Sequence, residues 1–240
     1  MARTLNAAVY TVRREAFVEA AQRLMQTRGF ERMSIQDLLD ELDASRGAFY
    51  HYFDSKQALL EAVIDRMVDA GLASVEPIVQ DAKLPAADKL VRVFSGIGRW
   101  KTDRKDLILA FLDVWLSDEH AVVREKFRHK LVGRFVPVLT QIVRQGIDEG
   151  SFQVESPDST ARVLMMLIQG MQDEATDMFV ARQANTIGFE EVETRFASYA
   201  SAFERVLGVE AGSISLIDRS ILGAWYGSSI RRPDGGDHRS

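Results

Sequence analysis

Cysteine is absent from the 240 residues, and with it go disulfides, cysteine nucleophiles and thiolate metal sites. Proline is scarce at five residues and histidine at four, and no apolar run approaches the ~20 residues that span a bilayer. Met1 to Tyr10 lacks the apolar segment of a secretory signal, so a cytoplasmic protein with no membrane partner is expected. No P-loop or nucleophile elbow occurs. Gly96-Ile97-Gly98 is too short for a phosphate loop, and no strand precedes it. An enzyme therefore has no site to support it, and nothing asks for a cofactor. Glu125 and His129 have the i, i+4 spacing that suits a metal, with His120 nearby, but an exposed ion pair is the commoner meaning of that spacing and no metal is expected.

What is present is an ordinary globular composition, 46% hydrophobic and 27% charged, at a length that suits one or two domains. The formal net charge of −5 looks unpromising for a nucleic-acid binder. Its distribution matters more than its sum. Residues 1–56 hold eight basic and eight acidic side chains, so the acidity lies downstream. A neutral module inside an acidic protein binds phosphate if its cations share one face.

The apolar spacing is helical throughout, and the expected fold class is all-α. Phe17, Ala20, Ala21, Leu24 and Met25 recur at three- and four-residue steps, predicting a helix from about Val12 to Arg28 that stops at Gly29. Ser34 with Asp37 forms a capping box, and Met33 with Leu38 a hydrophobic staple, opening a second helix through Leu42. Ser45 caps a short third helix ending at Tyr50 or His51. Asp54 and Gln57 repeat the cap pattern ahead of a fourth, which Pro77 and Lys83-Leu84-Pro85 break. Further helices are predicted near 86–100 and 104–117. One of about 31 residues follows over Glu119–Glu149, kinked at Pro137, and another runs from Pro157 toward Ala181.

Two short helices about a tight turn, the second with small polar residues at its exposed N-terminal end, are how a protein places side chains in the ~12 Å major groove. The string Ser45-Arg46-Gly47-Ala48-Phe49-Tyr50-His51-Tyr52-Phe53 runs straight into Asp54-Ser55-Lys56-Gln57-Ala58-Leu59-Leu60. With Gly29-Phe30 and Met33-Ser34-Ile35-Gln36-Asp37-Leu38 upstream, it resembles the TetR family of bacterial one-component regulators over Arg13 to Leu60. The resemblance implies a dimeric repressor with an N-terminal three-helix DNA-binding domain and a larger C-terminal domain for effector binding and dimerisation. One departure is visible: the family usually has glycine in the turn where this chain has Asp43, a residue that tolerates left-handed backbone better than most.

Carried over by position, the resemblance implies that Ser34 and Ser45, at helix N-termini, meet phosphate, and that Arg46, Gly47 and Ala48 meet base edges. Tyr50, His51 and Lys56 would be further phosphate contacts, whereas Phe49, Tyr52 and Phe53 would lock the recognition helix onto its neighbours. Arg3 has two readings, a minor-groove contact from a flexible arm or a solvated terminus.

Downstream, two successive predicted helices carry matching apolar stripes. The first is Leu164, Ile168, Met171, Ala175 and Met178 with Ala161; the second is Phe189, Val192, Phe196, Tyr199 and Phe203 with Val206. On pattern alone they suit either an intramolecular core or a four-helix bundle between two subunits, and the resemblance favours dimerisation. Phe94, Trp100, Phe111, Trp115, Phe135, Met165 and Met166, with Gln169 as a polar contact, are each ordinary core candidates and, as a set, candidates for lining an effector cavity. After Gly208, Ile214, Ile217, Ile221 and Trp225 suit one more amphipathic helix before a disordered end at Arg231–Ser240. The expected organisation is an arm over 1–9, a helix-turn-helix domain over 10–57, an effector and dimerisation domain over 58–208, and an extension over 209–240. The partners implied are operator DNA, a second copy of the chain, and a small apolar or amphipathic ligand. The competing reading is a helical protein-interaction module whose helix-turn-helix is purely structural.

Overall fold

The computed structural model describes residues 2–216 and 218–227, with side chains for these apart from residues 2–7 and 113. Eleven α-helices form among them: α1 (Ala2–Arg28), α2 (Ile35–Leu42), α3 (Arg46–Tyr52), α4 (Lys56–Gln80), α5 (Ala86–Thr102), α6 (Lys105–Ala110), α7 (Leu112–Leu116), α8 (Ala121–Asp148), α9 (Pro157–Gln183), α10 (Phe189–Leu207) and α11 (Arg219–Tyr226). Among the described residues there is no strand, and no helix is long and apolar enough to cross a membrane. The all-α expectation holds.

Several boundaries differ from the sequence expectation. α1 starts at Ala2 rather than near Val12, so residues expected in a flexible arm continue the helix. No glycine or proline interrupts residues 2–11, and helix needs no buried face to propagate from a packed segment. α4 is capped by Ser55, whose hydroxyl accepts the Ala58 amide at 3.0 Å, one residue later than expected. Pro77 does not break α4, which runs on to Gln80. The proline lies in the last turn and removes a single bond there, while Val75 and Val79 on either side are buried. The segment over 104–117 is two short helices divided at Phe111. Ile217 and Arg231–Ser240 lie outside the described residues, as does the Arg3 side chain.

The chain forms two compact units, and the division between them cuts through α4 and α8 and passes between α5 and α6. The first holds residues up to Gly71 together with Asp103–Leu131. Its core joins Phe17, Ala21 and Met25 of α1, Leu38 and Leu39 of α2, Phe49 of α3 and Leu59, Leu60 and Val63 of α4 with Val114 and Val123 from the later segment. Ion pairs Lys126–Glu61 at 2.8 Å and Lys130–Asp65 at 2.7 Å tie the first turns of α8 to α4. A boundary at residue 57 misses this because α4 is one continuous helix and because 103–131 returns from far along the chain.

The second unit holds Leu72–Thr102 and the chain from Val132 onward. Its main contact is between α9 and α10. Gly208, in left-handed conformation at φ 65°, ends α10 beneath the Gln153 backbone, where a Cβ would lie 2.7 Å from the Gln153 carbonyl oxygen. Hydrogen bonds that dock α11 on this unit include Trp225 Nε1 to Thr102 Oγ1 at 2.9 Å, Tyr226 hydroxyl to the Ala175 carbonyl at 3.0 Å, and Arg182 Nε to the Tyr226 carbonyl at 3.0 Å. Gly98 belongs to this packing, since a Cβ there would meet Ile221 at 2.6 Å. Gly96 likewise admits Val75.

Candidate nucleic-acid interface

The turn between α2 and α3 is set by its ends. The Ser34 hydroxyl accepts the Asp37 amide at 3.1 Å, and the Asp37 carboxylate accepts the Ser34 amide and hydroxyl, each at 2.7 Å. These bonds from Ser34, with Arg28 at 2.7 Å, hold the Asp37 carboxyl below the usual carboxylate range. The N-terminus of α2 thus already faces an anion of its own, which argues against Ser34 as a phosphate contact. At the other end Asp43 is left-handed, φ 47° and ψ 50°, the conformation that glycine adopts most easily. Its neighbour Ala44 returns an amide to the Leu39 carbonyl at 2.9 Å.

α3 is fastened along one side. Phe49 is fully buried, and Phe53 is buried beside it with ring centroids 5.8 Å apart. Phe17 of α1 meets Phe49, Tyr52 and Phe53 with centroids between 5.8 and 6.3 Å. Arg14 lies over the Phe53 ring at 5.0 Å. The opposite side is open: Ser45, Arg46, Gly47, Tyr50 and His51 are exposed, and Ala48 half-buried. Ser45 caps the helix by accepting the Ala48 amide at 3.2 Å. Gly47 has no internal reason to be glycine, because a Cβ there would find only Ser45 Oγ, at 3.9 Å.

Lys56, expected as a phosphate contact, has partners within the chain. Its ammonium donates to the Glu31 carbonyl at 3.2 Å and stands 4.2 Å from the Phe30 ring centroid, and burial pushes its pKa down. It braces the α1–α2 connection to the start of α4. Tyr10, missed by sequence reasoning, lies on the Tyr52 ring at 4.9 Å and on His51 at 5.6 Å. The spacing could have found it, since Tyr10 is seven residues before Phe17 and so on the same helix face.

The residues of the expected effector set are divided between the two units. Phe111 and Trp115 belong to the first unit, where Phe111 packs against the core and Trp115 stands edge-on to Phe127 at 5.1 Å. Phe94, Trp100, Phe135, Met165 and Gln169 belong to the second, with Phe94 edge-on to Phe203 at 5.3 Å. Met166 is 71% exposed and lines no interior. Helix periodicity explains the error, because Met165 and Met166 are 100° apart on α9 and only one of them faces inward.

The apolar stripes also need correction. Leu164, Ile168, Met178, Val192, Phe196 and Phe203 are buried within the chain, in the unit that α9 and α10 build together. Side chains buried there have no surface to offer a second subunit. Met171, Ala175, Phe189 and Tyr199 are half-buried. The outward side of α9 instead shows Val163, Met166 and Val180 at 44%, 71% and 41% exposure. His120, expected near Glu125 and His129, turns instead to Glu31, while Glu125 and His129 form an exposed pair at 3.7 Å.

Comparisons with known proteins fall on the same elements. The family model described as bacterial regulatory proteins, tetR family, matches residues 17–63. Nucleoid occlusion factor SlmA of Vibrio campbellii is 30% identical over 183 residues, 71% of this chain and 85% of that protein. The HTH-type transcriptional repressor DhaR of a Mycobacterium species is 24% identical over 158 residues, 65% of this chain and 79% of that one. Among solved structures, a TetR transcription regulator from Haloarcula marismortui superposes with a TM-score of 0.59 at 21% identity, over 82% of this chain and 97% of that one. RolR in complex with resorcinol gives 0.57 at 19% identity, over 90% and 95%. At these identities the structural likeness speaks for the fold.

Proposed function

The chain belongs to the TetR family of bacterial regulatory proteins, helix-turn-helix transcription regulators and not enzymes, and on that premise we propose that it is a dimeric cytoplasmic repressor which reads a pseudo-palindromic operator through α3 and leaves it when a small apolar or amphipathic effector binds. The observation that carries the reading is Gly47. A glycine in a helix costs roughly 0.5–1 kcal/mol relative to alanine, and here nothing inside the protein requires it. An outside partner that approaches the backbone closely does. Arg46 beside it has the forked guanidinium that suits guanine O6 and N7, and Ala48 offers a methyl to thymine. Tyr50, His51 and the Ser45 cap supply phosphate contacts around them.

Dimerisation uses the outward sides of α9 and α10. Val163, Met166, Gly170, Asp173, Asp177 and Val180 follow one another at steps of three and four, so they share one face of α9. On α10, Thr194, Ala197 and Ser198 are exposed and small enough to let a second pair of helices approach. The effector set narrows to Phe94, Trp100, Phe135, Met165 and Gln169 of the second unit. Because α4 and α8 each belong to both units, they are the continuous elements through which a change around the effector reaches the DNA-reading unit.

Selection of bound duplexes from a random pool at low salt tests the reading. It is expected to enrich an inverted repeat whose half-sites lie about one helical turn apart. Repeating the selection with Arg46→Ala is expected to relax one position in each half-site, worth about 1–3 kcal/mol of discrimination. Enrichment of no repeat supports the protein-interaction alternative instead.

A further inference from the structure

The inner face of α1 does not end at Phe17. Two turns earlier Tyr10 lays its ring against Tyr52 and His51, so the open surface of α3 continues onto a second helix. Tyr10 keeps 40% of its surface exposed and Tyr50 keeps 49%. Anything that reaches His51 therefore reaches Tyr10 within the width of a ring. Arg13 is three residues beyond Tyr10, a neighbour on the helix surface, and is exposed.

The charge here is unlike the rest of the chain. Residues 1–14 contain Arg3, Arg13 and Arg14 and no aspartate or glutamate, in a protein of net charge −5. Arg14 is engaged with the Phe53 ring and, at 3.7 Å, with Glu15. Arg13, by contrast, faces solvent. Val9 and Val12 beside it are 54% and 69% exposed, but a purely apolar partner seated here would bury the guanidinium without a counter-charge, at a cost of several kcal/mol. A polyanion suits the surface, and duplex DNA presents one negative charge per about 1.7 Å of its axis.

We propose that Tyr10 and Arg13 form a second phosphate-binding element, which grips the DNA backbone next to the base pairs read by α3 and adds affinity without reading sequence. This rests on α3 being the recognition helix. Arginine and tyrosine side chains are among the ordinary donors to phosphate oxygens, and such bonds orient a protein on the duplex and carry no base information.

The test uses the full chain and the duplex that the unmodified protein selects, with Kd measured by fluorescence anisotropy across a salt series. Tyr10→Phe keeps the ring on His51 and Tyr52, and Arg13→Ala removes an exposed side chain, so the double variant is expected to melt as the parent does. Its slope of log Kd against log salt is expected to fall by about 0.9 for each phosphate that the variant leaves unneutralised, with binding weakened at least fivefold and the selected sequence unchanged. An unchanged slope and Kd overturn the proposal while leaving α3 as the recognition helix. A shifted sequence preference overturns it in favour of base readout. If the unmodified protein selects no inverted repeat, the recognition-helix reading fails first and this one falls with it.

Discussion

Glu31 and His120, 89 residues apart in sequence, meet at 2.7 Å between carboxylate and Nε2. The histidine ring also stands edge-on to Phe30 at 5.4 Å. Glu31 in turn offers its backbone carbonyl to Lys56. The α1–α2 connection, the start of α4 and the segment before α8 are thus joined at one residue. His120→Ala is expected to destabilise the first unit by about 1–3 kcal/mol, read as a lower urea midpoint, because it removes the hydrogen bond to Glu31 and the aromatic contact together. His120→Phe, which restores only the ring, is expected to recover part of that deficit.

Asp43 pays a conformational cost that glycine would not. Asp43→Gly is expected to be neutral or to stabilise by up to about 1 kcal/mol, and Asp43→Val to destabilise by about 1–3 kcal/mol, since a β-branched residue is strained at φ 47°. Thermal melts of the two variants check this. Equal melting temperatures would mean that the turn relaxes without penalty.

The left-handed turn shows how far a sequence reaches. Ser34 with Asp37, Ser45, and Asp43 in the turn are local signals, each set by neighbours within four residues, and the structure places both caps and the turn as the spacing predicts. The joining of Glu31 to His120, the return of 103–131 to the first core, and the inward direction of Leu164 and Phe203 are long-range outcomes. An apolar stripe says that a face is buried and not what buries it. For the same reason the pattern puts Met166 beside Met165 in an interior that only Met165 reaches.

The outward and inward faces of α9 separate two expectations. Met166→Glu, on the exposed side, is expected to shift the protein from dimer to monomer in light scattering while leaving the monomer folded. Leu164→Ala, fully buried, is expected to lower stability by about 2–5 kcal/mol with no specific effect on subunit affinity. A dimer unaffected by Met166→Glu would place the subunit contact elsewhere.

Acid should act on the second unit through Glu204. The side chain is buried and its carboxylate accepts the Ile214 amide at 3.0 Å. Backbone bonds from Ile214 and Gly212 hold its pKa below the usual carboxylate range. A carboxylate lowered on folding contributes stability that is complete above the unfolded value, about 4.3, and is lost as pH falls through the lower folded value. Glu204→Gln is therefore expected to be less stable than the parent near neutral pH and to lose less on acidification from pH 6 to 3. Parallel acid limbs for the two proteins would contradict that assignment.

Gly47 tests the central claim most directly. Where a glycine serves the fold, alanine harms the fold; where it serves a partner, alanine harms only the partner. The measurement is the melting temperature of Gly47→Ala together with its Kd for the selected duplex. The account predicts an unchanged or raised melting temperature, since alanine is the better helix former by roughly 0.5–1 kcal/mol, and binding at least tenfold weaker, since the new methyl stands between α3 and the base edges. Binding equal to that of the parent would contradict the placement of α3 in the groove.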